Sequence, residues 1–145
     1  MGIRRMEHLG VVVDDLPAAI DFFVAIGLEL DGQTSVEGEV VDRITGLQGV
    51  RSDLAFLRAP GDTVALELTR FQTPPSPPGD GAAPSHALGI RHVLFSVDDL
   101  DVAVEAALAH GGELVGTVEN YEDMFRLCYL RGPAGIIVEL AERLS

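Results

Sequence analysis

The sequence predicts an α+β fold of two tandem βαβββ modules, and three observations carry that expectation. The stretch His8-Leu-Gly-Val-Val-Val-Asp-Asp-Leu16 near the N-terminus returns as His92-Val-Leu-Phe-Ser-Val-Asp-Asp-Leu100, 84 residues later. The alignment continues without a gap through Gly27 and Gly111 to Glu29-Leu30 and Glu113-Leu114. Each copy then runs on through apolar stretches of strand length, and a Pro/Gly-rich segment parts the two. A chain of 145 residues is one domain's worth, so the copies are halves of one unit. The expected division is a single domain over 1–145, with modules at about 1–71 and 89–145 and a linker over 72–88.

In the first copy, residues 6–13 read as an apolar strand. Asp14-Asp15 supply a helix cap, and Pro17 falls in the first turn, where its missing N–H costs little. Ile20, Phe23 and Val24 keep helical spacing up to a stop at Gly27. A second strand starts at Leu28. Residues 34–51, with Gly38, Gly46 and Gly49 among polar residues, read as a long loop with a short helix near Val41 to Leu47, a candidate lid. Ser52 to Leu57 and Thr63 to Arg70 are strands joined by the turn Ala59-Pro-Gly-Asp62. Thr73 to Pro84 holds few side chains that could pack and reads as linker. The second copy gives a strand at 90–97, a helix over about 100–110, and strands near 113–118, 125–130 and 136–141.

One helix covers one face of a four-stranded sheet and leaves the other curved and open, so two such faces make a cavity. The strand period of two says what lines it. Leu9, Val11 and Val13 are the bulkier apolar set and pack under the helix, which turns His8 to the open face. Leu66 and Leu68 likewise turn Glu67 outward. The second copy repeats the pattern with His92 and Glu139. A carboxylate in an apolar cavity is costly, and two facing each other repel. A divalent cation removes both costs, so His8, Glu67, His92 and Glu139 are the expected metal ligands. The remaining candidates have structural readings. Asp14, Asp15, Asp98 and Asp99 are helix caps, His110 ends a helix, His86 lies in the linker, and Cys128 is a small core residue.

The net charge of −13 excludes nucleic acid and anionic membranes as partners, since both need cationic patches. One cysteine, Cys128, allows no internal disulfide, and no apolar stretch follows the N-terminal arginines. The expected location is therefore the cytoplasm. Small paired sheets expose strand edges, from which a homodimer is expected. The length of the linker from Phe71 to Gly89 favours modules that pair within one chain.

The paired modules and the marks His8-Leu-Gly-Val-Val-Val-Asp-Asp-Leu, Glu67, His92-Val-Leu-Phe-Ser-Val-Asp-Asp-Leu and Gly132-Pro-Ala-Gly-Ile-Ile-Val-Glu-Leu140 resemble the vicinal oxygen chelate superfamily. That group holds glyoxalase I, methylmalonyl-CoA epimerase, extradiol dioxygenases, fosfomycin-modifying enzymes and bleomycin-binding proteins. The resemblance covers essentially the whole chain and implies a glyoxalase-like fold. Three-ligand members would use His8, His92 and Glu139; Glu67 makes this chain similar to the four-ligand members. Val12 stands where glyoxalases I of the family carry an arginine for glutathione. The resemblance implies a metal-dependent lyase or isomerase, one that moves a proton alpha to a carbonyl of a small molecule. Glu67 or Glu139 would be its base and Ni, Co, Mn, Fe or Zn its single ion per site. The other implied functions are a binding protein that sequesters an antibiotic or natural product, and then an extradiol-type dioxygenase.

Overall fold

A computed structural model describes residues 1–145. The first copy is built from β1 (His8–Val12), α1 (Leu16–Ala25), β2 (Glu29–Glu37), α2 (Glu39–Thr45), β3 (Arg51–Arg58) and β4 (Ala65–Thr73). The second comprises β5 (His92–Val97), α3 (Leu100–Ala109), β6 (Glu113–Leu114), β7 (Glu119–Tyr121), β8 (Phe125–Arg131) and β9 (Ile137–Arg143). Two open sheets result, ordered β1-β4-β3-β2 and β5-β9-β8-β6, with β7 also paired to β8. In both, the first strand of the copy runs parallel to the last, with His8 opposite Ala65 and His92 opposite Ile137. A parallel pair cannot be closed by a hairpin. The helix and the two intervening strands form the crossover. No helix is long and apolar enough to cross a membrane.

Two compact units follow the copies except in α1: Met1–Ile20 with Gly27–Pro78, and Asp21–Ile26 with Gly79–Ser145. In the first unit Ala55 and Leu57 of β3 and Leu66 and Leu68 of β4 are buried with Val13, Leu16 and Ala19. In the second, Leu100, Ala103 and Ala107 of α3 are buried with Leu130, Val138 and Leu140. Phe22 and Phe23 are buried there as well, their rings edge-to-face at 5.1 Å. Gly112 makes room for Phe22. A Cβ at this glycine would stand 3.0 Å from the Phe22 ring and 2.8 Å from the Ala107 carbonyl.

Three segments depart from the sequence reading. Residues 34–37 are not loop, because β2 runs on to Glu37 against β3. β2 is the edge of its sheet and nearly all its residues are exposed, so it shows no apolar alternation. The short helix falls at Glu39–Thr45, earlier than 41–47, and buries none of its residues. Asp42 fastens the chain after it, accepting from the amides of Gly49 and Val50 at 3.0 and 2.8 Å. The single strand expected near 113–118 is two short strands, β6 and β7, both on β8. The linker is also pinned by side chains from outside it. Arg91 donates to the carbonyls of Ala83 and Pro84, and Arg131 to those of Gly81 and Ala83.

Candidate functional site

The site residues follow from strand parity. In the first sheet Leu66 and Leu68 are buried on one face, so Glu67 between them points to the other, open face. His8 joins it from the neighbouring strand: its Nε2 lies 3.1 Å from Glu67 Oε2. The His8 side chain is 45% exposed and the Glu67 side chain 20%, so the carboxylate is shielded while the imidazole remains reachable. Phe56 of β3, opposite Glu67 in the ladder, stands edge-on to the His8 ring at 5.9 Å. Thr69 is buried on the same face and donates through Oγ1 to Glu67 Oε1 at 3.1 Å.

The second sheet repeats the constellation. Val138 and Leu140 are buried, and Glu139 between them faces the open side. His92 Nε2 lies 3.4 Å from Glu139 Oε1. Tyr129 of β8 is opposite Glu139, and its ring centroid is 5.0 Å from that of His92. One partner is missing. Ala141 holds the place two residues after the glutamate that Thr69 holds in the first copy. Behind the second sheet, burial pushes the Cys128 thiol up from its ordinary pKa, and the Glu139 carboxylate adds to this. The thiol is therefore neither nucleophile nor thiolate ligand near neutral pH.

Of the four ligands expected from the sequence, the structure brings His8 to Glu67 and His92 to Glu139. No group of three or more His, Cys, Asp or Glu side chains that could hold a metal occurs in the chain. Each pair offers one imidazole nitrogen and one carboxylate. That donor set suits a borderline or hard dication. Outside the pairs, His110 Nδ1 lies 2.9 Å from the Ala106 carbonyl at the end of α3. Val12, Tyr121 and Met124 are exposed, and Phe71 and Phe125 are half-buried.

Phe56, Tyr129 and Thr69 were not singled out by the sequence reading. The signal for the two aromatics is a second, shifted repeat: Asp53-Leu-Ala-Phe-Leu-Arg58 aligns with Arg126-Leu-Cys-Tyr-Leu-Arg131 at 73 residues instead of 84. For Thr69 the signal would have been its difference from Ala141.

Residues 5–140 match the Glyoxalase/Bleomycin resistance protein/Dioxygenase superfamily. A solved structure of a glyoxalase family protein from Bacillus cereus is 43% identical with a TM-score of 0.94, covering 100% of this chain and 97% of that one. The Escherichia coli K12 protein YaeR is 27% identical over 143 residues, 99% of each chain. TnmS3, an antibiotic-binding protein from Streptomyces, superposes with a TM-score of 0.61 at 20% identity, covering 99% of this chain and 98% of that one; the likeness is one of fold.

Proposed function

The chain belongs to the Glyoxalase/Bleomycin resistance protein/Dioxygenase superfamily, and on that premise we propose that it is a metal-dependent lyase or isomerase. Its reaction moves a proton alpha to a carbonyl of a small molecule. The observation that carries this reading is the repeated pair: a reachable imidazole against a shielded glutamate on the open face of each sheet. His8, Glu67, His92 and Glu139 would hold one divalent ion. When bound, the ion supplies Lewis-acid polarisation of the carbonyl, which acidifies the neighbouring C–H.

The chain's own residues supply the rest. Glu67 has one oxygen on His8 and the other on the Thr69 hydroxyl, which suits it to a fixed ligand. Glu139 has no hydroxyl at the corresponding place and is the freer carboxylate. It is assigned the base, taking the proton from carbon and returning it to the product. Phe56 and Tyr129 flank the imidazoles, limit their rotation and keep water from one side of each pair. We propose a homodimer, in which the two pairs complete one centre within a chain, as the length of the linker favours, or by exchange between chains.

Metal analysis of the purified protein after reconstitution, with proton–deuterium exchange at the substrate's alpha carbon, tests the reading. One ion per chain and exchange on an α-hydroxycarbonyl or α-acyl substrate are expected. Failure to take up metal would leave a binding protein, the function TnmS3 has in the same fold. Oxygen uptake without exchange would make it a dioxygenase.

A further inference from the structure

The two copies treat the start of their helix in opposite ways. In the second, Glu142 of β9 accepts from the backbone amide of Leu100, the first residue of α3, at 3.0 Å. Arg126, opposite Glu142 in the β8–β9 ladder, lies 3.9 Å from that carboxylate. Its guanidinium also holds Asp101 through two hydrogen bonds of 2.9 and 3.3 Å. Helix start, carboxylate and cation thus close on one another within the copy.

In the first copy the ladder positions are kept and the charges are exchanged. Asp53 of β3 stands at the place of Arg126, and Arg70 of β4, opposite it, at the place of Glu142. Arg70 Nε donates to the Asp14 carbonyl at 3.0 Å, so β4 brings no carboxylate to the amide of Leu16. A cavity of about 740 Å³ lies there instead, lined among others by Arg70, Asp53, Ser35, Gln33, Asp15 and Leu16. Neither His8 nor Glu67 belongs to it. Arg70, Asp53 and Ser35 are neighbours in the ladder on the face that carries α1, opposite to the face of the His–Glu pair.

The chemistry of the lining defines an occupant. The Leu16 amide at the positive end of the ten-residue α1 and the Arg70 guanidinium together offer a seat for a carboxylate. The second copy fills that seat with its own Glu142. Beside it Asp53 is an acceptor with capacity left. It takes hydrogen bonds from Ser35 at 2.7 Å and from Gln72 at 3.0 and 2.9 Å, out of about four acceptor positions. Asp14, Asp15 and Asp53 outnumber Arg70 in the lining, so a bare anion is repelled. A ligand with a carboxylate at one end and a cation at the other meets both charges. Residues opposite each other in an antiparallel ladder have Cβ atoms about 5 Å apart, a span that suits one amino acid.

We propose that this cavity binds a small zwitterion of the amino-acid class, with its carboxylate on the Leu16 amide and Arg70 and its ammonium group on Asp53. The site is independent of the metal centre.

Amide-resolved NMR titration of the full chain tests it with three probes: L-alanine, acetate and ethylammonium. L-Alanine is expected to shift the Leu16 and Ser35 amides saturably. Each single-charge fragment should need at least ~10-fold more ligand, the scale of losing one of two charged contacts. Arg70→Glu restores the carboxylate of the second copy and is expected to abolish the response. The Leu16 amide of the free variant should already resemble the bound state. Asp53→Asn should weaken L-alanine and, by removing one of the carboxylates that repel an anion, tighten acetate, and His8→Ala should leave all three responses as in wild type. Absence of a saturable shift, an undiminished response in Arg70→Glu, or acetate binding as tightly as L-alanine would overturn the proposal.

Discussion

Thr69 donates a hydrogen bond of 3.1 Å to Glu67, whereas Ala141 offers Glu139 nothing at the same place in the repeat. Two carboxylates that share strand position, histidine partner and burial therefore differ in freedom. The second oxygen of Glu67 is tied down inside the sheet face, while that of Glu139 can turn.

The difference predicts the effect of Thr69→Val, which keeps the shape and removes the hydroxyl. Loss of an outer hydrogen bond to a ligand typically costs ~10- to 100-fold in metal affinity. Isothermal titration with Ni, Co or Zn is expected to show a loss of that order. Ala141→Thr, the converse change, should leave affinity equal or raise it while slowing proton exchange. Unchanged affinity in Thr69→Val would mean that the hydroxyl does not orient Glu67.

His8→Ala and His92→Ala should each abolish tight metal binding without unfolding the chain. Both side chains are nearly half exposed, at 45% and 40%, and their removal opens no cavity under a helix. Circular dichroism is expected to stay that of wild type, with a melting temperature within a few degrees. A variant that keeps full metal occupancy removes that histidine from the ligand set.

Glu139→Gln and Glu67→Gln separate base from ligand. Glutamine keeps an oxygen for the ion and cannot take a proton. With metal bound, exchange at the alpha carbon is expected to fall ~100-fold or more in Glu139→Gln and much less in Glu67→Gln. The reverse ranking would assign the proton transfer to Glu67.

The strand face of each of the four residues was legible because each sits in a strand with one apolar neighbour set, and because the copy 84 residues away repeats the alternation. Physical causes hid the rest. β2 faces solvent along most of Glu29–Glu37, so its pairing with β3 leaves no hydrophobic pattern. α2 exposes Val40 and Ile44, so its helical spacing marks no core. Phe56 and Tyr129 fall where the two copies lose register, and only the structure sets them beside the imidazoles.

Acid stability should carry the mark of one surface pair. The Arg126 guanidinium hydrogen-bonds Asp101 and holds its carboxyl below the ordinary value of 3.8, with the charge of Arg126 adding to the effect. A lowered carboxylate stabilises the fold above its unfolded pKa, and that contribution is lost as pH falls through the lower folded value. Wild type is therefore expected to melt higher than Asp101→Asn near neutral pH, with the two curves converging below about pH 3.8. The pair is exposed, so the gap is small and salt narrows it. A gap that persists in strong acid would show that Asp101 acts through something other than its charge.

Subunit mixing decides who completes the centre. The linker length favours a site closed within one chain, and exchange of pairs between two chains is the alternative. If two chains exchange pairs, a site holds His8 and Glu67 of one protomer with His92 and Glu139 of its partner. His8→Ala and Glu139→Ala are each defective alone, because every site in either homodimer lacks a ligand. In the mixed dimer both defects fall in one site. The other site draws His8 and Glu67 from the Glu139→Ala chain and His92 and Glu139 from the His8→Ala chain, and is intact. With exchanged pairs, mixing under conditions that let subunits exchange restores one tight metal site per mixed dimer, read by metal titration, and that result would overturn closure within one chain. If each chain closes its own site, every site in the mixture still lacks a ligand, and no tight binding returns at any ratio of the two variants.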